Sequence, residues 1–173
     1  MMQAPTRVGR TASLTSSENG RACHWSVRRS RLWGAPENQV IYLLDTNLRF
    51  HLINAKHPII LQHFRQHIPA DIALCSVVKA ELMYGARRSQ RVEANLQLLK
   101  AFFAPLQSLP FDDECAEHYG QIHADLLTQG KPIGPHDTLI AAIARAHDAT
   151  LITHNTGEFS RVAGLRMEDW EIS

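Results

Sequence analysis

The sequence predicts an α/β domain, a mostly parallel sheet with helices on both faces, and three observations carry that expectation. Short apolar, β-branched runs alternate along the chain with stretches whose apolar residues recur at helical spacing. The short runs lack the in-and-out alternation of a one-sided sheet, so they read as strands buried on both faces. Composition agrees: of 173 residues, 45% are hydrophobic and 20% charged, which excludes a disordered tail or a collagen-like repeat. A chain of this size buries roughly two thirds of its unfolded surface, enough for one core without disulfide staples.

Taken in order, Val40–Leu44 is the first strand, and Asp45-Thr46-Asn47 supplies capping residues for a helix through about Asn54. Pro58 opens a second helical stretch to about His67, closed by Pro69. Ile72–Cys75 is the next strand, and Ser76 is an N-cap for the helix Val77–Arg88. Val92, Leu96, Leu99 and Phe103 share one face of a helix ended by Pro105. Cys115, Tyr119, Ile122 and Leu126 repeat that pattern, and Gly130 stops the helix. Pro135 stands at the start of the helix His136–Ala146; Thr150–Thr153 is a strand and Leu165–Trp170 a closing edge strand. No internal repeat is present.

Charge divides the chain. Met1–Gln39 holds six Arg, no Lys and two Glu, a net +4, whereas Val40–Ser173 is net −3. The leading segment is rich in Ser, Thr, Arg and Gly without apolar periodicity, so residues 1–39 are expected to be an unpacked extension and 40–173 the domain. Val40 is the expected start of the working protein, an internal GUG start codon being read as valine. Three cysteines, Cys23, Cys75 and Cys115, form no CxxC pair, which argues against a disulfide framework or a thiolate zinc site. No apolar run approaches the roughly 18 residues of a membrane span, and no secretory h-region opens the chain, so a cytoplasmic protein is expected.

Ligands of open parallel sheets bind beyond the carboxyl ends of the strands. Polar residues fall at such places here: Asp45 after the first strand, Glu81 in the helix after the second, Asp137 in the first turn of its helix, Asn155 after the strand Thr150–Thr153. Gathered at one rim, they would form a pocket of carboxylate and amide oxygens, whose mutual repulsion calls for a hard divalent cation, Mg²⁺ or Mn²⁺. Such a site suits phosphodiester hydrolysis. Each residue also has a plain structural explanation. Asp45 and Asp137 can be helix caps, worth about 1 kcal/mol, Glu81 can face solvent, and Asn-Thr-Gly is a turn sequence.

Leu44-Asp45-Thr46-Asn47, Ala80-Glu81-Leu82-Met83-Tyr84-Gly85, Pro135-His136-Asp137-Thr138-Leu139-Ile140-Ala141-Ala142 and Thr153-His154-Asn155-Thr156-Gly157-Glu158-Phe159 resemble the motifs of PIN-domain ribonucleases, in family order. The match is closest to the VapC-type toxins of type II toxin–antitoxin systems, and Gly164-Leu165-Arg166-Met167-Glu168-Asp169-Trp170 is similar to their usual ending. The resemblance implies a three-layer α/β/α fold and a magnesium-dependent endoribonuclease acting on RNA, with tRNA as a candidate substrate. It also implies restraint by a VapB-like antitoxin, and a homodimer. By motif position Asp45 and Asp137 would hold the Mg²⁺, Glu81 would complete the acidic cluster, and Asn155 stands where many relatives carry Asp. Thr46 is either a partner of metal-held water or a cap.

Lys79, Arg87, Arg88 and Arg91 are either a basic rim beside Glu81 or a solvated helix end. His63 and His67 have metal-capable spacing without further ligands and read as surface groups, while His136 and His154 flank the expected site. Two other readings compete. One is a non-catalytic PIN-fold module that binds RNA or antitoxin. The other is a haloacid-dehalogenase-like phosphatase, disfavoured because Asn47 stands where its Asp-x-Asp motif needs an acid. Walker and Rossmann glycine fingerprints are absent.

Overall fold

The computed structural model describes the backbone of residues 13–16 and 23–26, and residues 40–46 and 58–172 in full. The chain divides into two units, Met1–Glu37 and Asn38–Ser173. In the first, β1 (Ser13–Ser16) and β2 (Cys23–Ser26) pair antiparallel, Ser13 opposite Ser26 and Ser16 opposite Cys23. The second contains β3 (Tyr42–Leu44), α1 (Pro58–Gln66), β4 (Ile72–Cys75), α2 (Ser76–Arg87), α3 (Val92–Phe103) and β5 (Gln107–Leu109). It continues with α4 (Asp113–Thr128), α5 (Pro135–Ala146), β6 (Thr150–Ile152), α6 (Thr156–Phe159) and β7 (Met167–Glu168). The helix expected from Asp45 to Asn54 falls, beyond Thr46, outside the described residues.

The five strands β5-β4-β3-β6-β7 form one sheet in that order, every pairing parallel. Right-handed crossovers run from β3 toward β5 and then back toward β6, so the helices linking them must cover opposite faces. The strands bear this out. Leu43, Leu44, Ile72, Ala73, Leu74, Cys75, Leu151 and Ile152 are all buried, as the unalternating sequence runs required. Against them pack Val78 and Leu82 of α2, Ile122 and Leu126 of α4, and the nearly all-apolar α5, with Ile140 to Ala144 buried in succession.

Local chemistry sets the boundaries. Pro135 occupies the first turn of α5, where its missing N–H costs nothing. Gly130 follows α4 with φ 65°, its N–H donating to Leu127 O and that of Lys131 to Leu126 O, the paired bonds of a Schellman ending. The start of α2 differs from the sequence expectation: Cys75, not Ser76, is the N-cap, its thiol accepting from Val78 N–H at 3.5 Å. Strand β5 and helix α6 were not expected from the sequence. Cys75 and Cys115 are buried free thiols, pushed by burial up to about 11 and about 12. Among the described residues no helix is long and apolar enough to cross a membrane.

Candidate active site

Strands β3 and β6 are neighbours, yet the chain leaves β3 on one side and returns to β6 on the other. Crossovers that diverge in this way leave a crevice at the carboxyl end of the sheet. Asp45 directly follows β3, and Thr153 directly follows β6. The ladder sets Leu44 opposite Ile152, so these two polar residues face each other one step further on. Asp45 N–H donates to Ile152 O at 3.0 Å, extending the ladder to the site. Thr153 Oγ1 donates to Asp45 Oδ2 at 2.7 Å, and Thr46 N–H donates to Asp45 Oδ1 at 2.6 Å. Asp45 is only 4% exposed and Thr153 wholly buried. Burial raises the Asp45 carboxyl pKa, the two hydrogen bonds pull it back, and the Glu81 charge raises it again.

Glu81 reaches the same crevice from the second turn of α2. Val78, Leu82 and Ala86 form the buried side of that helix and turn Glu81 to its edge. Its Oε2 accepts from Thr46 Oγ1 at 2.5 Å, and its Oε1 stands 2.6 Å from His136 Nδ1. Thr46 therefore bridges two acids, its amide on Asp45 and its hydroxyl on Glu81. His136 is a partner of Glu81 at the rim.

Asp137 lies in the first turn of α5, where the helix dipole favours a carboxylate. Its pKa is nevertheless pushed up to about 7, first by burial, then by a hydrogen bond with Glu158 and the charges of Asp45, Glu158 and Glu81. Burial and negative crowding together thus outweigh the dipole. Gly134, the N-cap of α5, makes room for this arrangement: a Cβ there would stand 3.2 Å from Asp137 Oδ2. Gly134 N–H also donates to Glu158 Oε2 at 3.4 Å.

Asn155 is the N-cap of α6, although its side chain makes no capping bond. Its N–H donates to Thr153 Oγ1 at 3.0 Å, which ties it to Asp45 through one hydroxyl. The short helix it begins carries Glu158 toward Asp137. Sequence reasoning did not single out Glu158 or Thr153.

The structure thus brings Asp45, Glu81 and Asp137 into mutual electrostatic range and adds Glu158. Among the described residues no three of His, Cys, Asp and Glu make a ready-formed metal cage. A donor set of hard carboxylate oxygens still fits Mg²⁺, which uses one or two carboxylates and keeps several waters, and whose charge would favour the ionised form of Asp137.

The flanking residues sort differently from the sequence expectation. Lys79 Nζ lies 5.4 Å over the Phe103 ring, in the groove between α2 and α3, so it is not part of a rim beside Glu81. His63 and His67 both stack on the buried Trp170 indole, at 5.5 and 5.3 Å between centroids, and are half-buried packing groups. His154 Nδ1 pairs with Asp169 Oδ2 at 2.9 Å and lies 3.7 Å from Glu171, which raises its pKa.

The PIN domain family model matches residues 42–165, from β3 to the approach to β7. The tRNA(fMet)-specific endonuclease VapC of Shigella flexneri is 40% identical over 129 residues, which is 75% of this chain and 97% of that protein. The chain belongs to the VapC family of PIN domains. Ribonuclease VapC2 of Rickettsia felis is 38% identical over 134 residues, covering 76% of this chain and 99% of that one. The fold agrees with the crystal structure of DNA-bound VapBC from Salmonella typhimurium, with a TM-score of 0.72 and 36% identity over 76% of this chain and 98% of that chain. The matched span of this PIN domain contains every carboxylate of the crevice, Asp45, Glu81, Asp137 and Glu158.

Proposed function

We propose that this chain is the toxin of a type II toxin–antitoxin pair, an endoribonuclease that hydrolyses RNA phosphodiester bonds with Mg²⁺ and takes tRNA as its substrate class. The observation that carries the reading is the convergence of four acids at the switch point, where burial first, and then the neighbouring acids, push the Asp137 pKa up to about 7. A folded protein maintains such repulsion at a cost in stability, and a divalent cation relieves it. Asp45 and Asp137 would hold the ion, Mn²⁺ serving in place of Mg²⁺. When bound, it would lower the pKa of a coordinated water and neutralise phosphate charge.

The chain's own groups prepare the site. Thr153 and the Thr46 amide fix both oxygens of Asp45, and so set the direction in which its remaining lone pairs point. Glu81, held by Thr46 and His136, is the acid placed to accept a proton from the attacking water. Asn155 offers an uncharged amide at the rim for a water or a phosphate oxygen. Residues 40–173 form the working domain, a VapB-like antitoxin restrains it, and the protein works as a homodimer in the cytoplasm. The names and assemblies of the relatives support the ribonuclease and antitoxin parts of this reading.

The test is cleavage of total tRNA by the purified chain. Cleavage that needs Mg²⁺, stops in EDTA and is lost in Asp45→Asn and Asp137→Asn is the expected result. Cleavage that survives EDTA or Asp45→Asn would overturn the metal reading, and tight RNA binding without turnover would leave a binding module.

A further inference from the structure

Three arginines and one tyrosine at the far end of α2 have no role in the acidic crevice. Glu81, Tyr84 and Arg88 stand at i, i+3 and i+7, one stripe of a single helix that begins at the crevice. Tyr84 is 62% exposed, an unusual position for a large aromatic ring. It is also held: Arg88 Nη1 donates to the Tyr84 hydroxyl at 3.1 Å, and the guanidinium carbon lies 5.7 Å from the ring centroid. Arg87 and Arg91 are exposed beside it. None of the three arginines joins an ion pair among the described residues.

We infer that Tyr84 and Arg88 form a nucleotide-stacking platform that binds single-stranded RNA next to the bond being cut, with Arg87 and Arg91 contacting the backbone phosphates. The inference rests on the ribonuclease reading above and adds where the substrate lies. A helix rises about 1.5 Å per residue, so Tyr84 stands about 5 Å and Arg88 about 10 Å along the axis from Glu81. Those spacings suit the nucleotide adjoining the scissile phosphate. Aromatic rings and guanidinium planes are the groups on which unpaired bases stack. Charge complementarity favours the same occupant. The domain is net −3 and its crevice is acidic, so a polyanion needs cations outside the crevice; Arg87 and Arg88 end the helix that leads into it, and Arg91 caps the next helix three residues on. Arg88 bonded to Tyr84 presents a ring already ordered, which lowers the cost of stacking.

The experiment uses the full chain and short single-stranded RNA oligonucleotides. In Mg²⁺, Tyr84→Ala is expected to raise KM about tenfold with kcat nearly unchanged, while Tyr84→Phe, which keeps the ring and loses only the bond from Arg88, raises KM by about twofold to threefold. Arg87→Ala and Arg91→Ala are each expected to reduce the slope of log KM against log salt by about 0.7, the single-strand value for one phosphate contact. On an Asp45→Asn background, RNA carrying 2-aminopurine at successive positions should show quenching at one position, abolished by Tyr84→Ala. Failure of wild type to cleave any RNA would defeat the ribonuclease reading itself, whatever these variants do. Cleavage with KM and quenching unchanged in Tyr84→Ala would overturn the platform. Loss of antitoxin binding in that variant, with RNA kinetics intact, would likewise overturn it and make the patch a protein interface.

Discussion

Thr153→Val removes one oxygen from the centre of the site. The Thr153 hydroxyl is wholly buried, donates to Asp45 Oδ2 at 2.7 Å and accepts the Asn155 amide at 3.0 Å. A hydrogen bond to an ionised group contributes about 1.5–3 kcal/mol, and the Asn155 amide left unpaired adds about 1 kcal/mol. The variant should therefore lose about 2–4 kcal/mol at pH 8, measured by urea unfolding in EDTA. Thr153→Ser is the control: it keeps the hydroxyl and gives up one buried methyl, a loss of about 1 kcal/mol. Valine is the more apolar residue, so simple burial would rank the two variants in the opposite order. Repeating Thr153→Val on an Asp45→Asn background should recover at least about 1 kcal/mol as a coupling energy. The Mg²⁺ concentration for half-maximal cleavage should rise roughly tenfold or more, as for other partners of metal-holding groups. Equal stability of the valine and serine variants, together with zero coupling, would refute the proposition that this hydroxyl positions Asp45.

Asp137 gives a pH prediction. The folded chain keeps its proton up to about 7, whereas the unfolded chain releases it near 3.8, so between those values the folded state binds more protons. Stability of the metal-free protein should fall as pH rises through that window. A full shift corresponds to about 4 kcal/mol, and the half-exposed position reduces it to about 1–2 kcal/mol. Asp137→Asn should flatten the profile of unfolding free energy between about pH 4 and pH 7 by roughly that amount; parallel profiles would contradict the assignment. Gly134→Ala should leave the fold intact but displace the Asp137 carboxyl, because the new Cβ would meet its Oδ2 at 3.2 Å, and cleavage at limiting Mg²⁺ should drop. Gly130→Ala has open space around its Cβ but a φ of 65°, so it should cost about 1–2 kcal/mol in unfolding without changing activity.

Central elements were legible in the sequence because their burial is uniform. Ile72–Cys75 is buried at all four positions, and the expected strand has the observed limits. Strand β5 was not legible for the opposite reason: Gln107 and Ser108 are exposed, it lies at the sheet edge, and only Leu109 is buried. Helix α6 is four residues long, shorter than the period that would reveal it, and Asn155-Thr156-Gly157 has turn composition. The positions of Asp45, Glu81 and Asp137 followed from strand ends and helix starts. Their partners did not. Thr153 and Glu158 become visible only once β6 lies beside β3 and α6 beside the start of α5, which is information held in strand order rather than in any local pattern. Ser76 illustrates a nearer limit, since propensity favours serine as a cap but the chain begins its helical turn one residue earlier, on a thiol.

The bond between Thr153 and Asp45 joins residues 108 positions apart. Synthesis proceeds from the amino end, so a nascent chain that has emerged only through α3 carries Asp45 and Glu81 but neither Asp137 nor Glu158, and no hydroxyl to orient the first acid. β6, penultimate in the sheet and late in translation, supplies that hydroxyl. A growing polypeptide therefore cannot complete the crevice until β6 and α6 have been added.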